Sequence, residues 1–152
     1  MKTDWIALRL LGQWSIELGL GSVLLRLALS LVFSAIIGCE RSSKRHSAGL
    51  RTFILVSLAG TGTMLIDAYL MQQFGVPVPL LSAAAVIGTA TISSNSILFS
   101  SKSQIKGLTT SVGLWCCGVL GMSVGAGFYT LALVLFISML ACMSGLPMLE
   151  KI

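Results

Sequence analysis

Residues 107–149 read GLTTSVGLWCCGVLGMSVGAGFYTLALVLFISMLACMSGLPML, 43 positions without a single Asp, Glu, Lys or Arg. A second uncharged run, residues 68–101 (AYLMQQFGVPVPLLSAAAVIGTATISSNSILFSS), covers 34 more. Across all 152 residues the apolar share is 55% and the charged share 10%, against roughly 25% charged in soluble domains. A soluble chain of this length has no interior large enough for that much apolar surface, so a water-soluble enzyme is excluded. The fold class is an all-α integral membrane protein. Nowhere does the chain show a nucleophile–base pair, a phosphate loop or a carboxylate cluster. We therefore expect no enzymatic activity, no cofactor and no metal site.

A bilayer core of ~30 Å requires about 20 helical residues. That ruler predicts five transmembrane helices, near 20–39, 52–71, 78–99, 108–124 and 127–146. Turn signals separate them: Gly75 to Pro79, the Ser/Lys segment Ser100 to Gly107, and Gly125-Ala126-Gly127. Ahead of them, Arg9, Gln13 and Glu17 recur at i+4, while Leu8, Leu11, Trp14 and Leu18 lie on another face. This pattern predicts an N-terminal interfacial amphipathic helix over 1–19, anchored by Trp5 and Trp14. The expected domains are thus that helix, a five-helix transmembrane domain over 20–146, and a cytoplasmic tail over 147–152. Ile36-Ile37-Gly38-Cys39 imitates a lipoprotein cleavage box. Its apolar stretch contains Arg26, however, whereas a signal peptide places its positive charge before the apolar core. The four cysteines, Cys39, Cys116, Cys117 and Cys142, show no CxxC spacing and read as packing residues.

The net charge of +5 reports orientation and gives no ground for nucleic-acid binding. With five spans, the segments after the first, third and fifth share a side. They hold Arg41, Lys44, Arg45, Arg51, Lys102, Lys106 and Lys151, against Lys2 and Arg9 opposite. Positive residues collect in the cytoplasm, so the N-terminus is expected outside and the C-terminus in the cytoplasm.

Two charges fall inside the spans. Arg26 lies ~9 Å and Asp67 ~6 Å below the outer end of its helix at 1.5 Å per residue. A lone charge in hydrocarbon costs ~2.5–3.5 kcal/mol. The matched depths predict an intramembrane ion pair, Arg26–Asp67; an ion or proton pathway and snorkelling to the interface are the alternatives. Small or polar residues repeat at i+4 in span one (Ser22, Arg26, Ser30, Ser34, Gly38) and in span four (Gly113, Cys117, Gly121, Gly125). Such ladders allow close helix approach. The first is expected to face protein; the second is expected to serve helix packing or a homo-oligomer, namely a dimer. Span three carries Thr89, Thr91, Ser93, Ser94, Asn95 and Ser96 in its cytoplasmic half. Hydroxyls can bond back to their own helix, but the Asn95 amide must either join helices or line a cavity.

The first cytoplasmic segment runs from Glu40 to Arg51. Glu40 ends a helix, where a negative charge needs a compensating cation, and the reading is a Glu40–Arg51 clamp. The single His46 has no second ligand at metal spacing. Glu40, Arg41, Arg51, Asn95, Lys106 and Thr109 all fall near one interface. They form a candidate cytoplasmic cluster suited to an anionic group, a lipid headgroup or a partner's carboxylate.

Gly38-Cys39-Glu40-Arg41, followed after six residues by Ala48-Gly49-Leu50-Arg51-Thr52 and then Leu55-Val56, resembles the MgtC/SapB family of bacterial inner-membrane proteins, which includes the YhiD proteins. Lys106-Gly107-Leu108-Thr109-Thr110 with Leu114-Trp115-Cys116 resembles a second block of that family, and the likeness extends over roughly residues 20–145. The family usually has Asn in place of Thr109 and a Gly-Ala-Gly stretch in place of Ser94-Asn95-Ser96. The chain resembles a short form without the C-terminal cytoplasmic domain. The resemblance implies a regulator linked to magnesium homeostasis and to adaptation to low magnesium or host stress, and a role in virulence. Such a regulator would act through contacts with partner membrane proteins and membrane lipids. The competing reading is a small transporter or channel for magnesium or another ion.

Overall fold

The structure, a computed structural model, describes residues 19–43, 48–75, 78–95, 97–99 and 105–145. The expected amphipathic helix over 1–19, apart from Gly19, and the tail over 147–152 lie outside these residues. Five α-helices follow in chain order: α1 (Leu20–Ser43), α2 (Leu50–Phe74), α3 (Leu80–Ser94), α4 (Leu108–Gly125) and α5 (Tyr129–Leu140). A π-helical turn, Ala141–Gly145, continues α5. Two short strands, β1 (Leu98–Phe99) and β2 (Ile105–Lys106), pair antiparallel between α3 and α4.

The helices fall where the apolar runs predict, but two of the five expected spans, 78–99 and 127–146, are shorter than expected. Among the described residues, only α1, α2 and α4, at 24, 25 and 18 residues, are long and apolar enough to cross a membrane. α3 has 15 residues, or about 22 Å, which is short of a ~30 Å core. It ends at Ser94 and not at 99 because the polar run turns the chain. Asn95 caps the helix, with its backbone N–H toward the Ile92 and Ser93 carbonyls. Ile97 then bonds back to Ser94 O at 3.1 Å, and β1 pairs with β2, with Leu98 opposite Lys106. At the other end of the bundle, Gly75 closes α2 in the left-handed conformation (φ 63°), which a residue with a Cβ adopts only at a cost.

α4 is the central helix: 12 of its 18 residues are buried, and it packs against all four of the others. Its neighbour α2 runs parallel to it. Cys117 meets Phe53, Gly121 meets Ser57 and Gly125 meets Thr61, a constant offset of 64 residues. The approach is backbone to backbone. A methyl group on Gly125 would lie 2.8 Å from the Thr61 carbonyl oxygen, and one on Gly121 would overlap that of Ser57. The ladder Gly113, Cys117, Gly121, Gly125 is therefore consumed within the chain. Three of its rungs are seated on α2, and Gly113 lies under the Met143 methyl. Of the two uses expected for the ladder, the structure shows helix packing within the chain.

The α1 ladder faces inward as expected. Ser22, Arg26, Ser30, Ser34 and Gly38 are all buried. Ser30 and Ser57 share a hydrogen bond of 2.8 Å, and the Thr61 hydroxyl lies 2.8 Å from Ser30 Oγ and 2.9 Å from the Gly121 carbonyl. This knot of hydroxyls satisfies itself where α1, α2 and α4 meet. Around it sit the fully buried Ile37, Phe53, Leu114 and Leu120. The outer surface remains apolar, with Leu24, Leu55, Ile87 and Ile137 more than half exposed, as a lipid-facing surface requires.

Candidate functional site

The sequence-derived candidates lie at two levels of the bundle. At the level where α1 begins, each intramembrane charge is paired with the end of a helix. Arg26 Nη1 donates to the carbonyl oxygen of Gly125, the last residue of α4, at 2.7 Å. The carbonyls of a helix's final turn have no partner within the helix and carry partial negative charge. Asp67 does the converse. Its carboxylate accepts the backbone N–H of Leu81 at 3.1 Å and of Ser82 at 2.5 Å, in the first turn of α3, where N–H groups lack acceptors. Both side chains are buried, at 4% and 3% exposure. The predicted Arg26–Asp67 ion pair is thereby corrected: both carboxylate oxygens are already engaged, and no ion pair within bonding range joins the two.

At the opposite level, α1 ends and α2 begins. Gly38 permits the tight return, since a Cβ there would lie 2.8 Å from the Leu50 Cα, and Ala48 is buried beside it. Glu40 and Arg41 stand in the last turn of α1. Arg41 is buried, at 3% exposure, and its Nε is 3.9 Å from Glu40 Oε2. The same Nε donates to the thioether sulfur of Met143 at 3.3 Å, a weak acceptor. Glu40 Oε1 accepts from the Ser144 hydroxyl at 3.1 Å. The predicted Glu40–Arg51 clamp is corrected: Arg51 is exposed in the first turn of α2, and Glu40 faces Arg41 and the π-helical turn.

Among the other members whose side chains are described, Arg51, Asn95 and Thr109, none bonds to this pair. Asn95 is exposed at the end of α3. Three of the hydroxyls above it bond to their own helix, Thr89 to Ala85 O at 2.7 Å, Thr91 to Ile87 O at 3.0 Å and Ser94 to Thr91 O at 2.7 Å, whereas Ser93 Oγ is buried without a hydrogen-bond partner. Lys106 stands in β2, its backbone paired opposite Leu98. Thr109 is exposed and lines a groove of about 470 Å³ between α4 and α5. Among the members whose side chains are described, the structure joins Glu40 and Arg41. It adds two residues that sequence reasoning missed, Met143 and Ser144. The one available signal was that a buried arginine in the last turn of α1 needs acceptors, which a later span must supply.

Among the described residues, no three of His, Cys, Asp or Glu gather as a metal site would require. The only carboxylates among them are Glu40 and Asp67, both engaged as described.

The profile of the MgtC family matches residues 27–152. A protein of Escherichia coli (strain K12) named "Putative magnesium transporter YhiD" is 29% identical over 116 residues, covering 72% of this chain and 54% of its own length. "Protein SapB" of Bacillus subtilis (strain 168) is 29% identical over 136 residues, 82% of this chain and 56% of its own. "Protein MgtC" of Brucella abortus (strain 2308) is 30% identical over 115 residues, 76% of this chain and 47% of its own. The chain thus spans about half the length of the curated relatives it matches. No solved structure matches it.

Proposed function

The chain belongs to the MgtC family of bacterial membrane proteins, and from that premise we propose that it is a non-enzymatic regulator in magnesium homeostasis that works by contact with other membrane proteins. The observation that carries this reading is the sealed centre of the bundle. α2 and α4 approach so closely that a methyl group on Gly60 or Gly121 would overlap the facing backbone. The hydroxyls between them and α1 bond to one another. An ion crossing along that seam would have to separate helices in backbone contact. Mg²⁺ as cargo also favours several oxygen ligands, and the Asp67 carboxylate already holds the N-terminus of α3.

The name carried by the Escherichia coli relative favours transport, and one measurement separates the two readings. Purified protein in liposomes enclosing a Mg²⁺-sensitive dye should give no flux above that of protein-free vesicles. Crosslinking in native membranes should recover a defined membrane partner. Saturable Mg²⁺ entry that Asp67→Asn abolishes would overturn the regulator reading in favour of the transporter.

A further inference from the structure

The Arg41 guanidinium is the least satisfied buried charge among the described residues. Its side chain is 4% exposed, its Nε has only the Met143 thioether as hydrogen-bond acceptor, and its Nη2 is buried with no hydrogen-bond partner. Glu40 Oε2 makes an ion-pair contact with Nε at 3.9 Å, too long for a hydrogen bond, while its other oxygen, Oε1, accepts from Ser144. A buried cation in this state is costly, and an anionic oxygen is the partner it favours most.

Met143 connects this charge to the groove between α4 and α5. Its sulfur accepts from Arg41, its methyl covers Gly113, and its side chain also lines the groove. Methionine is unbranched and adaptable, and this one stands in a π-helical turn, a local geometry common at functional sites. The groove itself is almost wholly apolar. It holds about 470 Å³, within the size range of small-molecule sites. Thr109 and Val119 both line it, and the ten helical steps from one to the other give a length of about 15 Å. That is half of a ~30 Å hydrocarbon core, the depth of one leaflet.

The geometry points to a site for one anionic phospholipid: its phosphate on Arg41, replacing the Met143 thioether as acceptor, and an acyl chain along the α4–α5 groove. The charge selects the headgroup and the length selects the chain. This assignment is independent of whether the protein regulates or transports.

The test uses the full chain in nanodiscs of equal phosphatidylcholine and phosphatidylglycerol with matched oleoyl chains. Lipid retained after detergent washing is quantified by mass spectrometry. The wild-type protein should retain phosphatidylglycerol in about tenfold excess or more. Arg41→Gln should abolish that excess, whereas Arg51→Gln, at an exposed arginine near the same end, should keep it and so account for general surface charge. Ser138→Trp, which fills the groove from an exposed position, should lower retention of both lipids. Equal retention of the two lipids by the wild-type protein, or an excess that survives Arg41→Gln, overturns the proposal. If Arg41→Gln does not fold, Ser138→Trp decides alone, and undiminished retention in that variant overturns it. Millimolar inorganic phosphate should leave the retained lipid in place. Its displacement by phosphate would assign the site to a free anion and overturn the lipid reading.

Discussion

Arg26 Nη1 donates to the Gly125 carbonyl oxygen at 2.7 Å, tying the first helix to the C-terminal end of the fourth. The contact is close on the far side as well: a Cβ on Gly127, in the turn that follows, would lie 3.3 Å from Arg26 Nη2. Asp67, at the same end of the bundle, is committed to the start of α3. Two opposite charges at matched depth have each found the helix terminus of complementary polarity. A helix end offers several oriented acceptors or donors at once, whereas a single opposite charge leaves those backbone groups unsatisfied.

This arrangement predicts the outcome of a double-mutant cycle. Arg26→Gln and Asp67→Asn should each lower stability, and their effects should add to within about 0.5 kcal/mol. An ion pair would give a different pattern, with either single variant costing more than the double. Unfolding midpoints in detergent for the four proteins provide the check.

Asp67→Ala should cost more than Asp67→Asn. Asparagine can still accept an N–H at the first turn of α3, whereas alanine removes the cap and costs typically ~1 kcal/mol. The loss should be local. Hydrogen exchange should rise at Leu81 and Ser82 before it rises in α4.

How far the sequence could disclose this arrangement depended on the kind of signal. Ser22, Ser30, Ser34 and Gly38 were legible as a protein-facing stripe because period and chemistry coincide within one helix. The ladder from Gly113 to Gly125 was equally visible, but its partner was not. Ser57, Gly60 and Thr61 of α2 supply the facing surface, and nothing in either helix records that they pair in parallel rather than with a second copy. The charges were misassigned for a related reason. Depth along a helix can be read from numbering, but the direction of a side chain around it depends on packing. Arg41 is met by Met143, 102 positions away, and Glu40 by Ser144, 104 positions away, and residues so ordinary carry no signal of their own. The Glu40–Arg51 expectation failed because nearness in sequence stood in for nearness in space.

Gly121→Ala should destabilise the protein by about 1–3 kcal/mol, the usual cost of overpacking a filled interior, because the added methyl overlaps the Ser57 carbonyl. Gly62→Ala in α2 is the contrasting case. Nothing lies within 4 Å of its Cβ position, and alanine is the better helix former by roughly 0.8–1.0 kcal/mol, so stability should hold or rise. Thermal unfolding in one detergent, monitored for both variants, reads the difference. A drop for Gly121→Ala with unchanged oligomeric state would also confirm that the ladder is used within the subunit.

The charge distribution predicts an orientation, and the structure supplies positions that report it. Ser43 closes α1 and Gln73 lies in the last turn of α2, both on exposed residues at opposite ends of the bundle. In a cysteine-free background, Ser43→Cys should react with a membrane-impermeant maleimide only after the membrane is opened, and Gln73→Cys should react in intact spheroplasts. The physical basis is the segregation of Arg41, Lys44, Arg45, Arg51, Lys102, Lys106 and Lys151 from Lys2 and Arg9, which the positive-inside rule turns into a direction. The native Cys39, exposed one turn before Ser43, should label with Ser43→Cys when restored alone. Labelling of Ser43→Cys in intact spheroplasts would invert the topology. It would also place Glu40, Arg41 and the open end of the α4–α5 groove on the outer face.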